Sequence, residues 1–191
     1  MRYFIGCVIA IFTVFALSGC SRSVEEKEAL PLMGESPNFT FLDTDGNNFE
    51  FRESDGRIRV VSFFFARCPS ICPRINAALK EIHATLPAEA PVLFVSISVD
   101  PENDTPQVLA EYAKKYRESA EEWKFLTGDA TTIQSLLSDG FRLASGMLPD
   151  EHNTRVVLVD ADGQIRGFYQ GMDASHLKRL QEDLLLAVSR N

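Results

Sequence analysis

The run 58–65, Ile-Arg-Val-Val-Ser-Phe-Phe-Phe, constrains this chain most. It is short, β-branched, aromatic and nearly free of polar residues, the pattern of a strand covered on both faces. The residues after it fit a layered α/β arrangement. Ile75, Leu79, Ile82 and Leu86 recur on one stripe of a helix predicted over 72–86, with Pro73 tolerated in its first turn. A second apolar run, 92–99, predicts a second buried strand. Thr105 and Pro106 supply an N-cap and first helical residue for a helix to about Tyr116. A short strand at 123–126 and a helix at 130–138 closed by Gly140 come next. Residues 155–160 and 165–169 flank an Asp162-Gly163 turn and read as a hairpin. The last helix, 174–189, turns Leu177, Leu180, Leu184 and Leu185 inward. An earlier hairpin is predicted from 39–42 and 49–51 around the turn residues 43–47. The alternation gives an α/β sandwich, a mixed central sheet flanked by helices, with an added N-terminal hairpin.

The chemistry sits where the first strand ends. Cys68-Pro-Ser-Ile-Cys72-Pro73 places two cysteines four apart at the opening of a helix, so both sulfurs can share a face. Open α/β sheets carry their sites at the carboxyl ends of their strands. The helix N-terminus and Arg67 are both expected to favour thiolate over thiol. Such a pair either binds a soft metal or exchanges with a disulfide.

The N-terminus fixes the compartment. Arg2 precedes an apolar stretch, 4–17, of signal-sequence length and too short for a comfortable membrane span. It ends Leu17-Ser18-Gly19-Cys20, which resembles the bacterial lipobox, where cleavage precedes a cysteine that is then lipidated. The expected organisation is a signal peptide at 1–19, lipidated Cys20 with a flexible tether to residue 36, and one domain over 37–191. The domain is then placed in the bacterial cell envelope, in the periplasm or on the outer face of the cytoplasmic membrane. Cys7 leaves with the signal and Cys20 is consumed, so Cys68 and Cys72 remain in an oxidising compartment. A lone structural disulfide between them would close a very short loop and stabilise little. About 155 residues suffice for one full core. The formal net charge of −8 argues against a nucleic-acid partner.

Taken together and in order, several short motifs resemble a family. They are Phe63-Phe64-Phe65 before Cys68-Pro-Ser-Ile-Cys72-Pro73, Ser98-Val99-Asp100-Pro101 with Asp104-Thr105-Pro106, and His152-Asn153-Thr154-Arg155 before a strand and Asp162-Gly163. They are similar to the Sco (SenC-like) copper chaperones, thioredoxin-fold proteins that deliver copper to the dinuclear site of cytochrome c oxidase. The resemblance covers roughly residues 37–190. It implies a thioredoxin-like sandwich and one copper held by Cys68, Cys72 and His152. The oxidation state expected is Cu(I), with Cu(II) as a second state. Thiolate and imidazole suit a soft ion, and three ligands from two segments leave it accessible for transfer. The implied partner is a copper-accepting subunit of cytochrome c oxidase or a related respiratory enzyme, met by a monomeric, membrane-tethered carrier. The chain departs from the family in carrying Ser70 where an acidic residue is common, and Ala66-Arg67 before the first cysteine. The added positive charge is expected to deepen thiolate character and to disfavour Cu(II).

An enzymatic alternative is a thiol–disulfide reductase that keeps the acceptor's cysteines reduced, Cys68 and Cys72 exchanging with its disulfide. His152 is dispensable in that reading. A peroxide-reducing enzyme would need Thr and Pro before the reactive cysteine, where this chain has Phe64-Phe65-Ala66-Arg67. His83 lies about 16 Å along the helix from Cys72, too far to share an ion, and reads as a surface residue. His176 reads as solvated, Met147 as a gap-filler rather than a copper ligand, and Trp123 as core. Asp100 either orients the site or serves its own turn.

Overall fold

The computed structural model describes residues 29–143, 146, 148, 149 and 153–191. A six-stranded mixed sheet runs in the order β1 (Gly34–Glu35), β8 (Gln164–Gln170), β7 (Arg155–Val159), β4 (Ile58–Phe64), β5 (Val92–Ser98), β6 (Trp123–Leu126). Its centre is β4 and β5, paired in parallel and buried at every residue. Full burial explains why both read as continuous apolar runs rather than alternating ones. The parallel pairing requires a crossover, and helix α1 (Ile71–His83) provides it. Helix α2 (Pro106–Ala113) then leads to β6, parallel to β5 at the sheet edge. Strands β7 and β8 form the expected hairpin, with β7 antiparallel to β4. Helix α4 (Ala174–Val188) follows, capped by Asp173, whose carboxylate accepts from the Ser175 and His176 amides.

The added hairpin is β2 (Thr40–Leu42) with β3 (Asn48–Glu50). Its turn is fixed by Asp43, whose Oδ1 accepts from the amides of Asp45 and Asn47. The hairpin is joined to the main fold by a bridge between Leu42 and Thr127 and by Phe41 packed over Gly128. A Cβ at Gly128 would lie 2.2 Å from the Phe41 ring.

Several details differ from the sequence reading. Leu185, expected to face inward, is exposed, and Leu186 is buried in its stead. Residues 33–36, expected within the tether, are hydrogen-bonded to the sheet. Strand β1 (Gly34–Glu35) pairs with β8, flanked by bonds from the Met33 amide to Ile165 and from the Ser36 amide to Gly163. Two residues carry no periodicity, so pattern could not reveal them. The helix predicted to Tyr116 stops at Ala113 and continues only as turns. The helix predicted at 130–138 is α3 (Ala130–Ser135), which widens into a π-turn over Leu136–Gly140. The two described histidines are less open than expected. His83 is half-buried, its ring edge-on to Phe94 at 5.1 Å and 3.7 Å from Glu122. His176 is half-buried and accepts a hydrogen bond from the Gln170 amide through Nδ1. Trp123 is core, as expected, and its indole N–H donates to Ser96.

Topology decides what meets what. Strands β4, β5, β6 and β8 point the same way and β7 points against them. The carboxyl ends of the first four and the entry to β7 therefore share one edge of the sheet.

Candidate metal centre

That edge carries the cysteines. Past Phe64 the chain makes a tight turn in which the Cys68 amide donates to the Phe65 carbonyl at 3.2 Å. Helix α1 starts at Ile71. Its N-cap residue, Ser70, makes no side-chain capping bond. The cap is sulfur instead: the Cys72 amide donates to Cys68 Sγ at 3.3 Å. Free amides at a helix start need an acceptor, and a thiolate is a good one.

The two thiols are unlike. Cys68 is half-exposed and Cys72 is buried. Partial burial pushes the Cys68 thiol up, but hydrogen bonds from the Cys72, Ser70 and Ile71 amides and from the Cys72 side chain outweigh it. The net shift is below its ordinary value. Burial pushes the Cys72 thiol up to about 12, opposed by a hydrogen bond from the Phe65 backbone and reinforced by the neighbouring Cys68 sulfur. Sequence spacing treats the pair as equivalent, whereas the fold makes Cys68 the thiolate and Cys72 its buried partner.

Below Cys72, one helical turn along, Asn76 is buried and donates to the Tyr112 hydroxyl at 3.1 Å. Tyr112 stacks on Phe64 with ring centroids 5.0 Å apart. The start of α1 is thus pinned to α2 and β4 by a polar contact and an aromatic one.

The loop after β5 closes the other side. Asp100 is buried and receives Arg67 through Nη2 at 2.8 Å and Nε at 3.3 Å, with Asn103 on its other oxygen at 2.7 Å. The Arg67 side chain is 63% exposed. The expectation that Arg67 sets the thiolate needs correction. Its guanidinium closes on a carboxylate that offsets its charge, and the donors that lower Cys68 are the Cys72, Ser70 and Ile71 amides together with the Cys72 side chain. Asp100 does both things the sequence allowed, orienting the loop before Cys68 and completing its own turn. Asp104, not singled out from sequence, is completely buried beside it.

The entry to β7 reaches the same place. The Gly171 amide donates to the Thr154 carbonyl at 3.1 Å. A Cβ on Gly171 would lie 2.7 Å from that carbonyl and 3.0 Å from Ile75 Cδ1. Thr154 therefore sits across a bare glycine from the helix that carries Cys72. His152, Met147, Cys20, Cys7 and the signal segment lie outside the described residues. Among the described residues no three His, Cys, Asp or Glu side chains gather as a metal cluster.

A mixed sheet flanked by helices, with a two-thiol helix start at its edge, defines a thioredoxin-like protein. The family model described as SCO1/SenC matches residues 29–184. The chain belongs to the SCO1/SenC family. Three solved structures share the fold. A SCO1/SenC family lipoprotein from Bacillus anthracis is 27% identical, with a TM-score of 0.75 covering 82% of this chain and 96% of that one. BsSco, a member of the Sco family of cytochrome c oxidase assembly proteins in which a disulfide switch was identified, is 28% identical. Its TM-score is 0.73, covering 85% of this chain and 98% of that one. Copper-bound ScoI from Arabidopsis thaliana is 25% identical, with a TM-score of 0.65 covering 82% and 99%.

Proposed function

We propose that this chain is a membrane-tethered copper carrier that holds one copper, as Cu(I), on Cys68, Cys72 and His152. It passes that copper to the dinuclear copper site of cytochrome c oxidase. The observation that carries the reading is the sulfur pair at the start of α1 with the β7 entry packed against the same helix. Two residues of chain span at most about 7 Å, so His152 is within reach of the edge where Thr154 lies. Copper-bound and oxidase-assembly relatives support the same reading. Copper is cargo here. A soft ion draws the Cys72 proton off despite its high pKa, because binding the metal stabilises the thiolate. Transfer then proceeds by exchange of one thiolate for an acceptor's thiolate. Cys20 carries lipid and anchors the protein in the bacterial envelope, which confines a monomeric carrier and its acceptor to one surface and raises their effective concentration.

One observation favours the second reading, a thiol–disulfide reductase. A half-exposed, acidified Cys68 beside a buried, high-pKa Cys72 has the form of an attacking and a resolving thiol. Cys68 thiolate would form a mixed disulfide with the target, releasing one target thiolate. Cys72 would then displace the second, leaving a Cys68–Cys72 disulfide.

The test is an anaerobic Cu(I) titration against a strong competing chelator. It uses the reduced full chain in detergent, with Cys7 and Cys20 replaced by serine. One copper per chain, lost in Cys68→Ser and weakened in His152→Ala, is expected. Absence of competition together with rapid exchange with disulfides, unchanged in His152→Ala, would replace the carrier by the reductase.

A further inference from the structure

Asp104 is fully buried, yet its Oδ1 has no hydrogen-bond partner. A carboxyl group in such a place is costly to keep. Burial raises its pKa, partly offset by the hydrogen bonds it accepts. It is not needed to cap α2. Thr105 performs that role, its Oγ1 accepting from the Val108 amide. The Asp104 carboxylate turns the other way. Its Oδ2 accepts from the Ala66 amide at 2.9 Å and from the Ser98 hydroxyl at 2.5 Å. The Ser98 hydroxyl in turn accepts from the Asp100 amide at 3.1 Å, and the Asp104 amide donates to the Asp100 carbonyl at 2.9 Å. The carboxylate is therefore held rigidly by its own loop and presented to one peptide group of another.

That peptide group is the link between Phe65 and Ala66. Its N–H is held by Asp104, and its C=O accepts from the Cys68 amide. Both ends of a single planar unit are fixed, one by Asp104 and one by the residue that carries the thiolate. The Phe65 backbone also hydrogen-bonds Cys72. Rotation of this unit would move the amide of Cys68 and displace its sulfur from the helix start that acidifies it.

We propose that Asp104 is a positioning residue for the cysteine pair: by holding the Ala66 amide it fixes the turn that seats the Cys68 sulfur on the N-terminus of α1. This rests on Cys68 being the working sulfur, which both readings above require. It does not rest on copper.

The test measures alkylation of Cys68 and Cys72 at one neutral pH in the full chain in detergent, resolved by mass spectrometry of the peptide containing both. Asp104→Leu keeps the branched shape, adds some bulk and removes the acceptor. Asp104→Asn keeps an acceptor oxygen and removes the charge. The Leu variant is expected to slow Cys68 about three- to tenfold, the range one hydrogen bond supports, and Asn to restore it to within about twofold. Ser98→Ala removes the carboxylate's other donor and leaves the Ala66 bond, so Cys68 keeps its parental rate whatever happens to stability. A folded Leu variant with the parental Cys68 rate overturns the proposal, as does a Ser98→Ala variant slowed as much as Leu. If Leu does not fold, amide exchange in the parent decides. An Ala66 amide exchanging at the unprotected rate overturns the proposal, and a protected one that loses protection in Ser98→Ala does not support it. Failure of the copper reading appears separately, as absence of Cu(I) competition with the alkylation pattern intact.

Discussion

Offered an alkylating reagent, the reduced protein should react almost entirely at one sulfur. Cys72 stands at about 12 against an ordinary 9.0, three units higher. At any pH below 9 its thiolate is therefore about 10³-fold scarcer than that of an ordinary cysteine. A thiolate of higher pKa is intrinsically more nucleophilic, and a Brønsted slope near one half returns about half of those three decades. The net deficit is about 30-fold before burial is counted, and burial deepens it. Cys68 departs the other way, so the ratio between the two should exceed that figure. The assay is iodoacetamide at pH 7 on the full chain, with the two sites resolved by mass spectrometry. Its pH dependence supplies the sign. The Cys68 rate rises with pH and passes its half-maximum below the ordinary 9.0. The Cys72 rate goes on climbing about tenfold per unit toward 12. Equal rates at pH 7, or a Cys72 plateau below 9, would refute the assignment of thiolate and buried partner.

Other outcomes rest on single contacts. Arg67→Ala should cost about 1 kcal/mol or less in chemical denaturation, because its side chain is mostly exposed. It should also leave the Cys68 pH profile close to the parent's, since the helix-start amides and the Cys72 side chain set it. Gly171→Ala pushes a methyl against the Thr154 carbonyl, which cannot swing away as a side chain tip can. A loss of about 1–3 kcal/mol is expected, each kcal/mol lowering Tm by about 2–4 °C, together with weakened Cu(I) retention. Trp123→Phe removes the indole donor to buried Ser96 and should destabilise by about 1–3 kcal/mol in urea, with Cys68 reactivity unchanged.

The sequence reading succeeded where burial writes a long pattern. Strands β4 and β5 are covered on both faces, and five of the seven residues of each are apolar. Helix α1 had to show its inward stripe of Ile75, Leu79 and Ile82. The cysteine pair was legible because spacing alone puts i and i+4 on one face. What spacing could not give was the difference between the two sulfurs, which depends on which one the strand ends cover. The clamp by Asp104 was hidden for a related reason. It joins its own stretch, Ser98 and Asp100, to Ala66, 38 positions away, and only the sheet brings those two segments together. One clue was present. With Thr105 already capping α2, Asp104 had no local task of its own. The correction to Arg67 has the same origin, since its partner Asp100 is 33 positions away in sequence.

Strand β1 pairs with the first residues of β8, at the end of the sheet away from the cysteines. Ala29 and Leu30 lie at that end too, beside Ile58 and Asp160, around a cavity of about 220 Å³. The seven residues of β4 separate the two ends by about 20 Å. On the proposed function, with Cys20 held at a membrane, the domain would hang from its base with its sulfur edge outward, like a lamp on a cord. Eight residues of chain reach at most about 28 Å, so an anchor at Cys20 would keep that edge within a bounded distance of the bilayer. Lengthening the cord, or moving the anchor to the C-terminal helix, would change delivery without touching a single ligand.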